Sequence, residues 1–193
     1  SPKLYVSDVE AHAAKELLAS EGIFFGKQTI IGINPGAAYG SAKCWLPERF
    51  RQVTERLLRE PNTAVIYFGD PAGAPLVNEI CQGLEGPLLN LAGKTSIREL
   101  LPLIQCCNVF LTNDSGPMHV AAALGTPVVV PFGSTSPELT GPGLPGDLRH
   151  QLLKSNAPCS PCFRRVCPID FRCMTGITPD RVTEAVSQAL SLK

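Results

Sequence analysis

An α/β fold is the architecture this sequence predicts: a Rossmann-like parallel sheet with helices on both faces. Three observations carry that expectation. Apolar, β-branched runs recur at 29–33, 63–68, 109–111 and 128–130, too uniformly apolar for strands with one wet face. Segments with helical spacing of apolar residues alternate with them, which is the pattern of successive βαβ units. Turn-forming or small-residue stretches follow the strands, and a doubly wound topology gathers such stretches on one rim of the sheet.

Each element has a local reason. Ser7-Asp8-Val9-Glu10 has capping-box spacing and predicts a helix from 8 to about 21, with Gly22 as its stop. The strand at 29–33 runs into Asn34-Pro35-Gly36-Ala37-Ala38-Tyr39-Gly40-Ser41-Ala42-Lys43-Cys44-Trp45, a loop too rich in small residues to pack a core. Pro47 opens a helix with Phe50, Val53, Leu57 and Leu58 on one face, ending near Pro61. After the strand at 63–68, Gly69-Asp70-Pro71-Ala72-Gly73 breaks the chain, and a short helix follows to about 82. A brief strand at 88–91 precedes Ser96-Ile97-Arg98-Glu99, a second capping box whose helix runs to about 106.

The stretch 109–130 reads as strand, tight loop, helix and strand. Asn113 and Asp114 form turns, Gly116 permits positive φ, Pro117 suits a first helical turn, and Gly125 suits its stop. The helix start therefore lies just past the carboxyl end of a buried strand, where its N–H groups and dipole suit an anion such as a phosphate. Pro117 has no N–H, so Ser115, Gly116, Met118 and His119 are the available donors. Residues 133–147 read as a loop, 149–153 as a last strand, and Thr178-Pro179 as the start of a helix carrying Val182, Val186 and Leu190.

The 193 residues suffice for one domain with a real core. Lys plus Arg and Asp plus Glu both number 17, without a basic stripe, which argues against a nucleic-acid partner held by charge. No apolar run is long enough to span a bilayer, and the chain begins with Ser rather than Met, as a piece of something longer or a processed or tagged N-terminus would.

Along the rim, Lys43 is the one cation in its small-residue loop. It reads either as a solvated surface lysine or as a point charge for a phosphate. Asp114 would repel a phosphate; it suits a sugar or ribose hydroxyl, or an Asx turn capping the helix. His119, in the helix's first turn, reads more readily as a packing or capping residue than as a base. Gly69-Asp70-Pro71-Ala72-Gly73 lacks GxGxxG spacing and argues against an NAD enzyme.

Of the 8 cysteines, Cys44, Cys81, Cys106 and Cys107 sit in apolar patterns as small hydrophobes. Cys159, Cys162, Cys167 and Cys173 form a C-x2-C-x4-C-x5-C cluster. Four thiolates have the ligand count for Zn2+ or an iron–sulfur cluster; a reduced structural cluster or disulfides are equally compatible with the spacing.

The order of these motifs resembles the lipopolysaccharide heptosyltransferases of glycosyltransferase family 9. The residues that carry the resemblance are Pro35-Gly36-Ala37 with Ser41-Ala42-Lys43-Cys44-Trp45, and Asn90-Leu91-Ala92-Gly93-Lys94-Thr95. Thr112-Asn113-Asp114-Ser115-Gly116-Pro117-Met118-His119-Val120-Ala121-Ala122-Ala123 and Phe132-Gly133-Ser134-Thr135-Ser136-Pro137 complete it, and the cysteine cluster is similar to that of the heptosyltransferase II type.

The resemblance implies the C-terminal half of a GT-B glycosyltransferase: an interdomain connector and helix over 1–26, and a domain binding ADP-heptose over 27–193. The cysteine-rich loop would span 158–174. The acceptor domain, with the catalytic aspartate base, would lie outside this chain. Lys43 would hold the donor phosphates and stabilise the leaving group. Asp114 would bind heptose hydroxyls, Ser115, Gly116 and His119 would surround the pyrophosphate, and Gly93 and Thr95 would lie near the nucleoside. Cys44 stands where the family has Arg or Lys and receives no role, and Asp70 is the nearest carboxylate for the ribose. The family transfers without a metal. Its partners would be ADP-heptose and a lipid A–core acceptor, in the cytoplasm at the inner-membrane surface. The alternatives are a GT-B domain for another nucleotide sugar, or a non-enzymatic four-cysteine metal or redox module.

Overall fold

Alternating apolar runs and amphipathic segments fold as that pattern dictates. The computed structural model describes residues 3–144 and 146–192. In order they form α1 (Asp8–Ser20), β1 (Thr29–Asn34), a 3-10 turn (Ser41–Lys43), α2 (Pro47–Arg59), β2 (Thr63–Tyr67) and α3 (Ala74–Cys81). Then come β3 (Leu88–Asn90), α4 (Ile97–Cys106), β4 (Val109–Thr112), α5 (Gly116–Ala123), β5 (Val128–Phe132), α6 (Pro137–Thr140), β6 (Gln151–Lys154), α7 (Arg172–Thr175) and α8 (Pro179–Ser191).

The strands form one sheet in the order β3-β2-β1-β4-β5-β6, and every pair is parallel. The chain winds outward from β1 to β3, returns to place β4 on the other side of β1, and winds outward again. The direction of winding reverses between β1 and β4, so their carboxyl ends flank the switch-point crevice.

Side-chain alternation sends each strand's residues to two separate cores. Ile31, Ile33, Val65, Tyr67, Val109, Leu111 and Val129 meet Phe50, Val53 and Leu57 of α2, Val77 and Ile80 of α3, and Val182, Ala185, Val186 and Ala189 of α8. Ile30, Ala64, Ile66, Phe110, Val128 and Val130 meet Ala14 and Leu18 of α1, Leu103 and Ile104 of α4, and Met118 and Ala121 of α5. α1 is thus built into one face of this core. Its exposed side is tied to α4 by Arg98, whose Nε and Nη2 reach Glu10 at 2.5 and 2.9 Å. Both expected capping boxes are present, with Ser7 paired to Glu10 and Ser96 to Glu99.

Two expectations are corrected. The stretch 133–147, read as loop, contains the short helix α6, where Pro137 stands at the first helical position and needs no N–H partner. The last strand begins at Gln151 rather than 149. Arg149 is turned back on Asp147, giving its backbone N–H and guanidinium to that carboxylate, and the His150 amide bonds to the Asp147 carbonyl at 3.2 Å.

His150 is buried, and its Nδ1 accepts the Val128 amide at 3.2 Å, which requires an unprotonated Nδ1. Burial holds its pKa below the ordinary 6.5 against the opposing pull of Asp147. The folded state therefore binds this proton less readily than the unfolded chain. Its stabilising contribution is present above about pH 6.5 and is lost as pH falls through the lowered value. Asp147 is held down to about 2 by Arg149, so the two effects separate in pH. The urea midpoint should fall between about pH 7.5 and pH 5.5 in the wild type and much less in His150→Gln. Parallel pH profiles would refute the assignment.

Candidate functional site

The carboxyl ends of β1 and β4 are neighbours in register, with Asn34 beside Thr112. Each strand delivers a loop to the crevice. From β1 comes the small-residue loop ending at Trp45. From β4 come Asn113 and Asp114 and then the start of α5.

Asn113 organises the first loop. Its Nδ2 donates to the Pro35 carbonyl at 2.6 Å, and its Oδ1 accepts the Trp45 amide at 2.9 Å, so one buried side chain holds both ends. The Trp45 indole donates to the Ile177 carbonyl at 2.9 Å and packs edge-on against Phe50, tying the loop to the segment before α8. Within the loop, the Cys44 thiol lies 3.7 Å from the Gly40 carbonyl and is pushed up in pKa by burial, so Cys44 packs the loop.

Lys43 and Asp114 meet. Lys43 Nζ lies 2.9 Å from Asp114 Oδ2, with the two side chains 13% and 4% exposed. The same oxygen accepts Thr135 Oγ1 at 2.6 Å and Thr140 Oγ1 at 3.0 Å. Lys43 is therefore not a solvated surface lysine. Nor does Asp114 cap α5: its recorded contacts go to Lys43 and the two threonines, and Ser115, the N-cap residue, makes no side-chain capping bond. All of these contacts fall on Oδ2. Oδ1 has no hydrogen-bond donor among the described residues, and it is the atom free to accept a hydroxyl.

Pairing also resolves the conflict between a carboxylate and an anion site. Lys43 neutralises Asp114, so the α5 start faces no net negative charge, while the ammonium keeps further N–H donors. Among the described residues the Ser115 and Gly116 amides have no acceptor, whereas the Met118 amide bonds back to the Ser115 carbonyl at 3.1 Å. The expected donor set thus loses Met118. His119 is exposed on the first helical turn.

Gly93 and Thr95 lie at the other end of the rim, beyond β3. Gly93 has φ +72, and its amide bonds to Gly69 at 2.8 Å, which sets the turn before Thr95. From β4 to β3 is three strand spacings, roughly 14 Å, so these residues do not touch Lys43 but lie within an extended nucleotide's reach. Asp70, the ribose candidate, accepts the Gly73 amide on Oδ1 at 2.7 Å in the turn before α3.

The cysteine loop lies over the same mouth. Cys162 and Phe163 donate their amides to the Ser134 carbonyl at 3.0 and 2.7 Å, and the Ser160 hydroxyl donates to Gly133 at 2.7 Å. From the other side, the Ala42 amide donates to the Arg165 carbonyl at 3.0 Å. All 8 cysteines are free thiols. Burial raises the pKa of Cys173, and the nearby Cys159, Cys167 and Cys162 add to the rise. They do not converge on a centre: no group of three His, Cys, Asp or Glu among the described residues is arranged to hold a metal ion. The loop has the ligand count for Zn2+ or iron–sulfur without the ligand geometry.

The sequence alone does not disclose the roles of Asn113, Thr135 and Thr140. A run of hydroxyl residues at a strand's carboxyl end, Ser134-Thr135-Ser136, was the available signal for one of them.

A doubly wound domain whose switch-point rim joins a lysine, a buried aspartate and an open helix start belongs to the α/β architectures that take ligands at the carboxyl ends of their strands. The description "Glycosyltransferase family 9 (heptosyltransferase)" matches residues 1–171, and the chain belongs to that family. It is 34% identical over 165 residues to lipooligosaccharide heptosyltransferase 2 of Campylobacter jejuni, covering 83% of this chain and 51% of that protein. It is 37% identical over 145 residues to the Haemophilus influenzae enzyme of the same name, covering 73% and 42%. The structure of E. coli ADP-heptose LPS heptosyltransferase II superimposes with a TM-score of 0.80 at 29% identity, covering 99% of this chain and 54% of that one. The chain spans about half the length of the curated relatives it matches.

Proposed function

We propose that this chain is the donor-binding part of an inverting glycosyltransferase that moves heptose from an ADP-heptose to the inner core of lipopolysaccharide. The observation that carries the reading is the Lys43–Asp114 pair beside the open amides of Ser115 and Gly116, at the switch point of the sheet. The relatives' names supply the sugar and the acceptor class.

The chemistry follows from charge. As the anomeric bond breaks, negative charge grows on the departing diphosphate. Lys43 and the Ser115 and Gly116 amides are placed to receive it, and they act most strongly where water is excluded. Asp114 Oδ1 accepts a sugar hydroxyl and orients the ring. Gly93 and Thr95 take the nucleoside end, and His119 borders the pyrophosphate. The acceptor hydroxyl attacks from the opposite face, with its base supplied from outside residues 1–193, so the chain alone binds donor without transferring it. Residues 1–26 then serve as connector and helix, with α1 packed into the core of the donor domain that 27–193 complete. An acceptor carried on lipid A brings the enzyme to the cytoplasmic surface of the inner membrane; no helix among the described residues is long and apolar enough to cross one.

Calorimetry tests the reading. Lys43→Ala removes a charge-assisted contact, about 1.5–3 kcal/mol, so ADP affinity should fall roughly 10- to 100-fold while adenosine affinity holds. Chelator should leave wild-type ADP binding unchanged, since no metal is assigned to the step. Equal losses for ADP and adenosine would refute the phosphate assignment. A larger thermal shift with a different nucleotide would point to another nucleotide sugar.

A further inference from the structure

The cysteine loop brings a second cation to the site. Tyr39, in the β1 loop, has Lys43 Nζ 4.7 Å from its ring centroid and the Arg165 guanidinium carbon 4.9 Å from the same centroid. The two cations are neighbours across one ring, yet their electrostatic situations differ. Lys43 is neutralised by Asp114. Arg165 has no carboxylate within ion-pairing distance among the described residues, and its side chain is exposed to solvent.

The backbone fixes this placement. The Arg165 carbonyl accepts the Ala42 amide at 3.0 Å, next to Lys43 in sequence. Three residues earlier the loop is held to Ser134, which adjoins Thr135, the donor to Asp114. Tyr39 closes the circuit, its hydroxyl donating to the Phe163 carbonyl at 3.4 Å. Gly40 makes the approach possible: a Cβ there would stand 2.4 Å from the Arg165 oxygen. Arg165 is thus delivered by a loop fastened both to the segment after β5 that supplies Thr135 to Asp114 and to the loop that carries Lys43.

We propose that Arg165 is a second diphosphate-binding residue, which completes a charge balance that Lys43 cannot meet alone. A sugar nucleotide's diphosphate brings two negative charges to a site where the Lys43–Asp114 pair is already neutral. Arg165 is an uncompensated cation at that mouth, and its planar fork matches phosphate oxygens in a bidentate way that an ammonium cannot. Tyr39 holds the fork flat beside the site, limiting the freedom lost when the anion arrives. The cysteine loop thereby acquires a role in recognition that does not depend on a metal.

The proposal rests on the donor-site reading above, and the experiment separates the two. ADP and adenosine are titrated into the 193-residue chain and its Arg165→Gln, Arg165→Lys and Lys43→Ala variants at low and at physiological salt. Arg165→Gln should weaken ADP about tenfold, or 1.4 kcal/mol, with adenosine unchanged and a shallower salt dependence. Arg165→Lys should recover part of the loss. Melting temperatures matching the wild type confirm that the exposed guanidinium is not a structural prop. If Lys43→Ala loses ADP affinity and Arg165→Gln does not, the Arg165 assignment is overturned and the donor site stands. If wild-type protein binds no ADP, both readings fall.

Discussion

Asp114→Ala should lower the stability of the chain by about 3–5 kcal/mol, the cost of leaving one partner of a buried ion pair uncompensated. Lys43 is 13% exposed, so solvent does little to relieve it. Thr135 and Thr140 lose their shared acceptor at the same time. At about 2–4 °C per kcal/mol for a chain of this size, the melting temperature drops by something on the order of 10 °C. Asp114→Asn preserves the shape and one acceptor and should lose less. The paired variant also dissects binding. With the carboxylate charge gone, Lys43 is released to the phosphate, so Asp114→Asn should bind ADP at least as tightly as the wild type and ADP-heptose less tightly. Thermal unfolding together with titration of both ligands reads this out. A melting temperature within a degree or two of wild type, or parallel changes for the two ligands, would contradict the geometry.

The second large effect is expected from Gly40→Ala. The added methyl would sit 2.4 Å from a backbone oxygen, which cannot rotate away, and φ there is +156 in a region that side chains avoid. Overpacking of this kind costs about 1–3 kcal/mol, and the cheaper response is for the cysteine loop to undock. Labelling of Cys159 and Cys167, both half-buried in the native chain, should then accelerate, and ADP affinity should fall with the displacement of Arg165. Gly36→Ala, in the same loop, is the control, since a Cβ there meets only Asn34 Oδ1 at 3.9 Å. Unchanged labelling rates in Gly40→Ala would mean that the contact between the two loops is incidental.

The fold was legible because its determinants are local and periodic. The fully buried strands announce themselves as unbroken apolar runs, and both capping boxes fall where Ser and Glu stand three apart. α6 and α7 escaped because four-residue helices carry no periodicity to read, and α7 lies inside what composition marks as a cysteine loop. The site was half legible. Lys43 and Asp114 stood out, but as unrelated residues 71 positions apart, one assigned to phosphate and the other to sugar. That they form a pair depends on β1 and β4 being adjacent, which is a property of topology. Asn113 read as a turn former because a turn needs only its backbone, whereas its amide bonds at |i−j| of 78 and 68 exist only in the folded chain. The cysteine spacing gives a ligand count but no geometry, and the placement of Arg165 among those cysteines, over the loop that carries Lys43, appears only in the fold.

Asn113 has one further consequence. By gripping Pro35 and Trp45 at once, it turns the segment between them into a cinched ring that cannot swing open as a flap without surrendering two buried amide contacts. Entry and exit of a ligand at this mouth must therefore be gated by side chains pivoting on a stationary backbone, chiefly those that share the Tyr39 ring. Little ordering entropy is left to be lost when the site fills.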